Sequence, residues 1–167
     1  MSRLSTWTVL ALSGILVGCA GTPIIPTHVP FGQHDLTPIN SKKPVAVINR
    51  QEVRQAELVS VDYANTMVDL NACCERSISL IGEWLDYNKI PVHKDADKRL
   101  YVSVSNPKAD KRGSHTLDLK IQTGDGLVKV FKTECTAFPS GRAFGYAINW
   151  GVVKVMHDAD ILNYLEK

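Results

Sequence analysis

The chain is short of most features that would assign a chemistry at sight. It has no excess of one charge: 19 Lys and Arg stand against 17 Asp and Glu, a formal +2 over 167 residues. No clustered basic stretch supplies the footprint that nucleic acid requires, so nucleic acid is not an expected partner. Aromatics are few, at 7%. The catalytic signatures GxSxG, HExxH, CxxC, the Walker loop and GxGxxG do not occur, which removes the common hydrolase, zinc-protease, thiol-redox and nucleotide-binding readings. What is present is an ordinary apolar fraction of 44%, which excludes intrinsic disorder as an overall description, and a length that suits one domain.

An uncharged, largely apolar run, Leu4–Gly18, follows Arg3 and ends against Cys19. As a helix it would reach roughly 22 Å at ~1.5 Å per residue, short of the ~30 Å hydrocarbon core. A cleaved secretory signal over residues 1–18 therefore fits better than a transmembrane helix. The run Leu16-Val17-Gly18-Cys19 resembles the lipobox of bacterial lipoproteins. That resemblance implies that Cys19 is acylated and becomes the first mature residue, anchoring the chain by its fatty-acyl chains (palmitate among them). Ala20 follows the cysteine, and in enteric lipoproteins a residue other than Asp there implies the periplasmic face of the outer membrane. Removing Arg3 with the signal leaves a formal charge of +1.

Residues 19–44 hold Pro23, Pro26, Pro30, Pro38 and Pro44, five of the eight prolines. Such density opposes helix and ladder pairing, so the segment is expected to be an extended, semi-rigid spacer. Ile24, Ile25, Val29 and Phe31 leave open the alternative that it packs on the body as an irregular arm.

A single domain is expected over 45–167. Val45–Asn49 and Glu57–Asp62 read as strands. Met67, Leu70, Cys74, Ile78, Ile81 and Leu85 recur at helical spacing, with Thr66 and Asp69 as an imperfect capping box and Pro91 closing the segment. Leu100–Ser105, Thr116–Gln122 and Leu127–Thr136 read as three strands, the last with an indistinct phase. Thr123–Gly126 is a hairpin turn and Asn106–Gly113 a charged surface loop. Gly141–His157 and Ala159–Glu166 read as helical, with Asp158 as a cap. The order strand, helix, three strands, helix predicts an α+β fold: an antiparallel sheet of about four strands covered on one face by two helices. At this level of architecture the chain resembles small outer-membrane assembly lipoproteins, including the lipopolysaccharide-assembly lipoprotein.

Chemistry-bearing residues are sparse. Ser105-Asn-Pro-Lys108 spells SxxK, but Pro107 opposes the helix that motif needs. His93 with Asp95 and Asp97, and His157 with Asp158 and Asp160, combine imidazole and carboxylate in patterns typical of caps and turns. No catalytic residue, metal site or cofactor is therefore expected. Of the mature cysteines, Cys73 and Cys74 cannot bridge each other within a helix. A disulfide from the helix to Cys135, with Cys74 the better placed, and free buried thiols both remain open. Gly141–His157 carries two apolar stripes: Ala143, Phe144, Ala147, Ile148, Gly151, Val152 and Val155 suit a sheet, while Tyr146, Trp150 and Val153 lie on roughly the opposite side. Either another element covers this second stripe or it is a partner-binding surface. The reading that follows is a non-enzymatic, lipid-anchored accessory or scaffold subunit of an envelope assembly, with an envelope protein as partner. The other is a small periplasmic lipoprotein that binds a glycan or lipid in a concave pocket.

The lipobox generates the first test. A Cys19→Ser form is expected to take up no labelled palmitate and to leave the membrane fraction; uptake at the wild-type level would remove the anchor.

Overall fold

The alternation of Leu117, Leu119 and Ile121 is realised as a strand in which all three side chains are buried, and the sheet grows outward from it. In a computed structural model, residues 23–32, 36–51, 56–61, 64–110, 112–137 and 139–167 are described. The elements are β1 (Val45–Asn49), β2 (Ala56–Val61), β3 (Ala64–Asp69), α1 (Leu70–Tyr87), β4 (Lys98–Ala109), β5 (Ser114–Thr123), β6 (Val128–Thr136), α2 (Ser140–Met156) and α3 (Ala159–Glu166). Cys19 and the lipobox lie outside the described residues.

The fold is α+β, with a four-stranded sheet ordered β1-β4-β5-β6. The sheet is mixed, which corrects the all-antiparallel expectation. β4–β5 and β5–β6 are antiparallel, but β1 runs parallel to β4, from Val45↔Lys98 to Asn49↔Val102. The reason is topological: α1 returns the chain to the end where β1 began, so the next strand must run the same way. β1, β4 and β6 all finish at one end of the sheet, hereafter the upper end, where α1 and α2 begin.

The segment before α1 also differs from expectation. β2 does not join the main sheet; it forms a separate antiparallel pair with β3, from Ala56↔Asp69 to Val61↔Ala64. Thr66 and Met67, expected at the start of the helix, belong to β3. The helix starts at Leu70 with Asp69 as its cap, one carboxylate oxygen accepting from the Ala72 amide at 2.8 Å. That bond satisfies one of the orphan donors of the first turn. β4 continues through Pro107 to Ala109, beyond the predicted loop boundary, across a bulge between Ser105 and Lys108 where Asn106 has φ 53°. A proline is tolerated there because a bulge relieves it of a ladder hydrogen bond.

Both long helices cover one sheet face. Leu80, Ile81 and Trp84 of α1 and Phe144, Ile148 and Val152 of α2 are buried with Leu100, Val102 and Leu119 in one core. Gly151 lets α2 sit close: a Cβ there would stand 2.9 Å from Thr133 Cγ2. β6 resolves its indistinct phase by pointing Phe131 and Thr133 inward and leaving Val128, Val130, Lys132 and Glu134 exposed. The third helix, α3, docks at the lower end, where the Tyr164 hydroxyl accepts from the Arg99 amide at 2.8 Å and the Gly124 amide at 3.2 Å.

The proline-rich segment is where the spacer expectation fails. Its described residues lie on the body, as the arm alternative had it. The Ile24 amide donates to Met67 O at 2.7 Å, and the Thr27 amide to Gly141 O at 2.9 Å. Asn149 Nδ2 donates to Val29 O at 3.2 Å. Further down, Trp84 Nε1 donates to Thr37 O at 2.7 Å, and Asn88 Oδ1 accepts from the Ile39 amide at 2.7 Å. The described residues 24–32 and 36–40 thus lie over α1 and α2, the first group towards the upper end and the second towards the lower. Proline suits this course, since a chain running over helices needs no ladder bonds and its remaining polar groups are met singly by side chains.

The closest approach is at Gly145, where a Cβ would lie 2.3 Å from Thr27 O. Helix propensity alone favours Gly145→Ala by about 1 kcal/mol. The clash is expected to reverse that sign and cost on the order of 1–3 kcal/mol, measured by denaturant unfolding, with faster amide exchange at Thr27. A stabilised variant would mean that the arm does not lie there.

Candidate functional site

α2 puts the second apolar stripe on its outer side because its first stripe is committed to the sheet and its Gly141–Gly145–Asn149 edge to the arm. Trp150 is 52% exposed. Tyr146 and Val153 are half-buried beside it. Tyr146 borders the arm: with Thr27, His28, Val29, Pro30, Pro139 and Arg142 it lines a cavity of about 370 Å³. The Arg142 guanidinium lies 5.7 Å from the Tyr146 ring centroid, and Nη2 donates to its hydroxyl at 3.4 Å. The arm therefore accounts for part of the Tyr146 face and leaves Trp150 open.

The thiols are free: Cys73 and Cys74 are buried and Cys135 is half-buried. Cys74 Sγ donates to Asn49 Oδ1 at 3.2 Å and to Val102 O at 3.3 Å, which turns it toward β1 and β4. The Cys74–Cys135 bridge left open by the sequence is thus not formed. Burial is the main cause that pushes both Cys73 and Cys74 up to about 12; Asp69 adds to it at Cys73 and Glu75 at Cys74. Thiols so raised are poor nucleophiles. Cys135 is also raised by burial.

The other sequence candidates take structural places. His157 Nδ1 sits 2.8 Å from Val153 O at the end of α2. Asp158 caps α3 through the amides of Asp160 and Ile161, both at 3.1 Å, and Lys129 Nζ lies 3.2 Å from Asp158 Oδ2. His93, Asp95 and Asp97 stand exposed around a turn. Ser105 and Lys108 flank the β4 bulge, not a helix start. Among the described residues no group of three His, Cys, Asp or Glu side chains is placed to hold a metal, and no helix is long and apolar enough to cross a membrane.

Sequence reasoning passed over two features. A groove of about 630 Å³ crosses the open sheet face, with Lys108, Lys132 and Lys154 set among Asn106, Asp118 and Glu134. The second is Arg76 on α1, whose Nε and Nη2 are buried without a partner and whose Nη1 lies 3.9 Å from Glu83. Burial lowers its pKa more than Glu83 raises it. The groove draws its residues from three strands and a helix, so no local spacing announces it. Arg76 sits within the helical pattern like any surface residue.

No family model matches the chain, and no curated protein matches it. Solved structures do. A Xanthomonas campestris protein of the DUF330 family is 12% identical with a TM-score of 0.49, covering 72% of this chain and 88% of that one. An uncharacterized protein is 12% identical with a TM-score of 0.39, covering 77% of this chain and 94% of that one. The C-terminal domain of LpoB from Salmonella enterica is 8% identical with a TM-score of 0.29, covering 61% and 88%.

The thiol environment makes a test. In the native protein, iodoacetamide is expected to modify Cys135 first and to spare Cys73 and Cys74, with all three reacting in denaturant. Because the folded thiols hold their protons while unfolded ones ionise near pH 9, their contribution to stability is intact below that pH. It declines as pH rises from about 9 toward 12, to be followed as a falling melting temperature. A Cys73→Ala/Cys74→Ala form should show less of that decline.

Proposed function

We propose that the chain is a non-enzymatic, lipid-anchored accessory subunit of an envelope assembly, held at the periplasmic face of the outer membrane and contacting a protein partner through Trp150, Tyr146 and Val153. The observation that carries this reading is the 52% exposure of Trp150 on a helix whose other apolar stripe is already buried. An isolated exposed aromatic is unremarkable on a protein surface, but one flanked by a second aromatic and a valine has the composition of a contact centre. Anchoring rests on the lipobox ending at Cys19.

The ligand-binding reading has less behind it. A glycan or lipid site calls for an enclosed concavity with a largely apolar lining, whereas the groove on the sheet face is open and lined by charged, amide and hydroxyl side chains.

Trp150→Glu is expected to leave the far-UV spectrum and the stability within ~0.5 kcal/mol of wild type, as for a surface change. It should also abolish chemical crosslinking to an envelope partner in intact membranes. Retained crosslinking, or unfolding of the variant, would count against the surface.

A further inference from the structure

The arm fixes more than the fold. Ile24 is held between the start of α1 and the start of α2: its amide reaches Met67 O at 2.7 Å, its carbonyl accepts from the Asp69 amide at 3.2 Å, and its side chain packs on the core. Gly141 at the first turn of α2 faces Ile25 O, which a Cβ would meet at 2.9 Å. All of these atoms belong to the upper end. If Cys19 carries the acyl chains, as the proposed function has it, the chain between anchor and body is the run from 19 to 24. Five residue steps at about 3.5 Å give a ceiling of ~17 Å. A free spacer from 19 to 44 would have reached roughly 78 Å at ~3.1 Å per residue.

We infer that the body does not stand off the membrane but rests against it, with the upper end facing the phospholipid headgroups. The surface there suits that neighbour. Ile25, beside the point of attachment, is 66% exposed, and Arg142 and Arg112 are exposed, with Asp110 as the acidic residue in the same β4–β5 turn. Neither α1 nor α2 has an acidic residue in its first turn, so apart from the Asp69 cap their positive ends are not opposed there. Asp69, Asp110, Glu75 and Glu134 lie at the same end, so the surface is of mixed charge. What suits a headgroup layer is the exposed Ile25 with Arg142 next to its point of attachment. β4, twelve residues long, gives the body a height of about 36 Å at ~3.3 Å per residue, so its two ends are well separated from the bilayer plane.

The test uses the acylated full-length protein in nanodiscs of phosphatidylethanolamine and phosphatidylglycerol that carry a headgroup spin label. In a Cys135→Ser background, a fluorophore is attached at Arg112→Cys on the upper end or at Asn163→Cys on the lower. Acylation is confirmed by mass in each sample, so loss of the anchor is read separately from orientation. Quenching at position 112 is expected to exceed that at 163 several-fold. Equal quenching at the two sites, or stronger quenching at 163, in protein of confirmed acylated mass would overturn the orientation while leaving the anchor in place.

Discussion

The arrangement turns on the close passage of the N-terminal arm over α2 at Gly145. A carbonyl oxygen this close to the position of a Cβ can be accommodated only where there is no Cβ, so the glycine is what lets Thr27 and its described neighbours lie against α2. Once the arm is seated, it takes hydrogen bonds from Trp84 and Asn149 through its carbonyls. Trp84 in turn is fully buried, and its indole N–H would be an unsatisfied donor without Thr37 O, a cost of about 1–3 kcal/mol. The arm is therefore part of the core's hydrogen-bond accounting and not an appendage to it.

The same seating divides the surface of α2 by use. One side belongs to the sheet, where Gly151 permits close contact; the next belongs to the arm through Gly141, Gly145 and Asn149. What remains is the strip bearing Tyr146, Trp150 and Val153. Its apolar character is not explained by any further layer among the described residues. That strip lies on the flank of the body, so a bilayer under the upper end leaves it facing sideways, about 15 Å down α2 at ~1.5 Å per residue from its first turn.

Elements with strong local period were legible. The β5 alternation, the Thr123–Gly126 turn, the Asp158 cap and both helical stripes of α2 follow from side-chain spacing alone, and they come out where the spacing puts them. The misreadings share one cause: each concerns a choice between local and distant partners. Met67 fits the helical stripe of α1 by spacing, yet the segment Ala64–Asp69 pairs with β2 and with Ile24, and those backbone partners prevail. The parallel placement of β1 is a property of chain routing, which side-chain alternation does not encode. In the arm, proline density speaks of backbone conformation but not of docking; the docking signal was divided between Gly141 and Gly145 on one element and Ile24 on another. The open-face groove was invisible for the same reason, being an assembly of residues far apart in sequence.

β6 is the outer strand of the four-stranded sheet, nine residues long, with Val128 and Val130 exposed beside Lys132. Lys154 Nζ donates to the Lys132 carbonyl at 2.6 Å, which occupies one of the acceptors a docking strand would use. Side-chain charge along such a border discourages accretion of neighbouring strands. With Lys154 occupying that carbonyl and Lys132 charged beside it, the border of the sheet offers a second copy of this chain a poorer template than the bare ladder would.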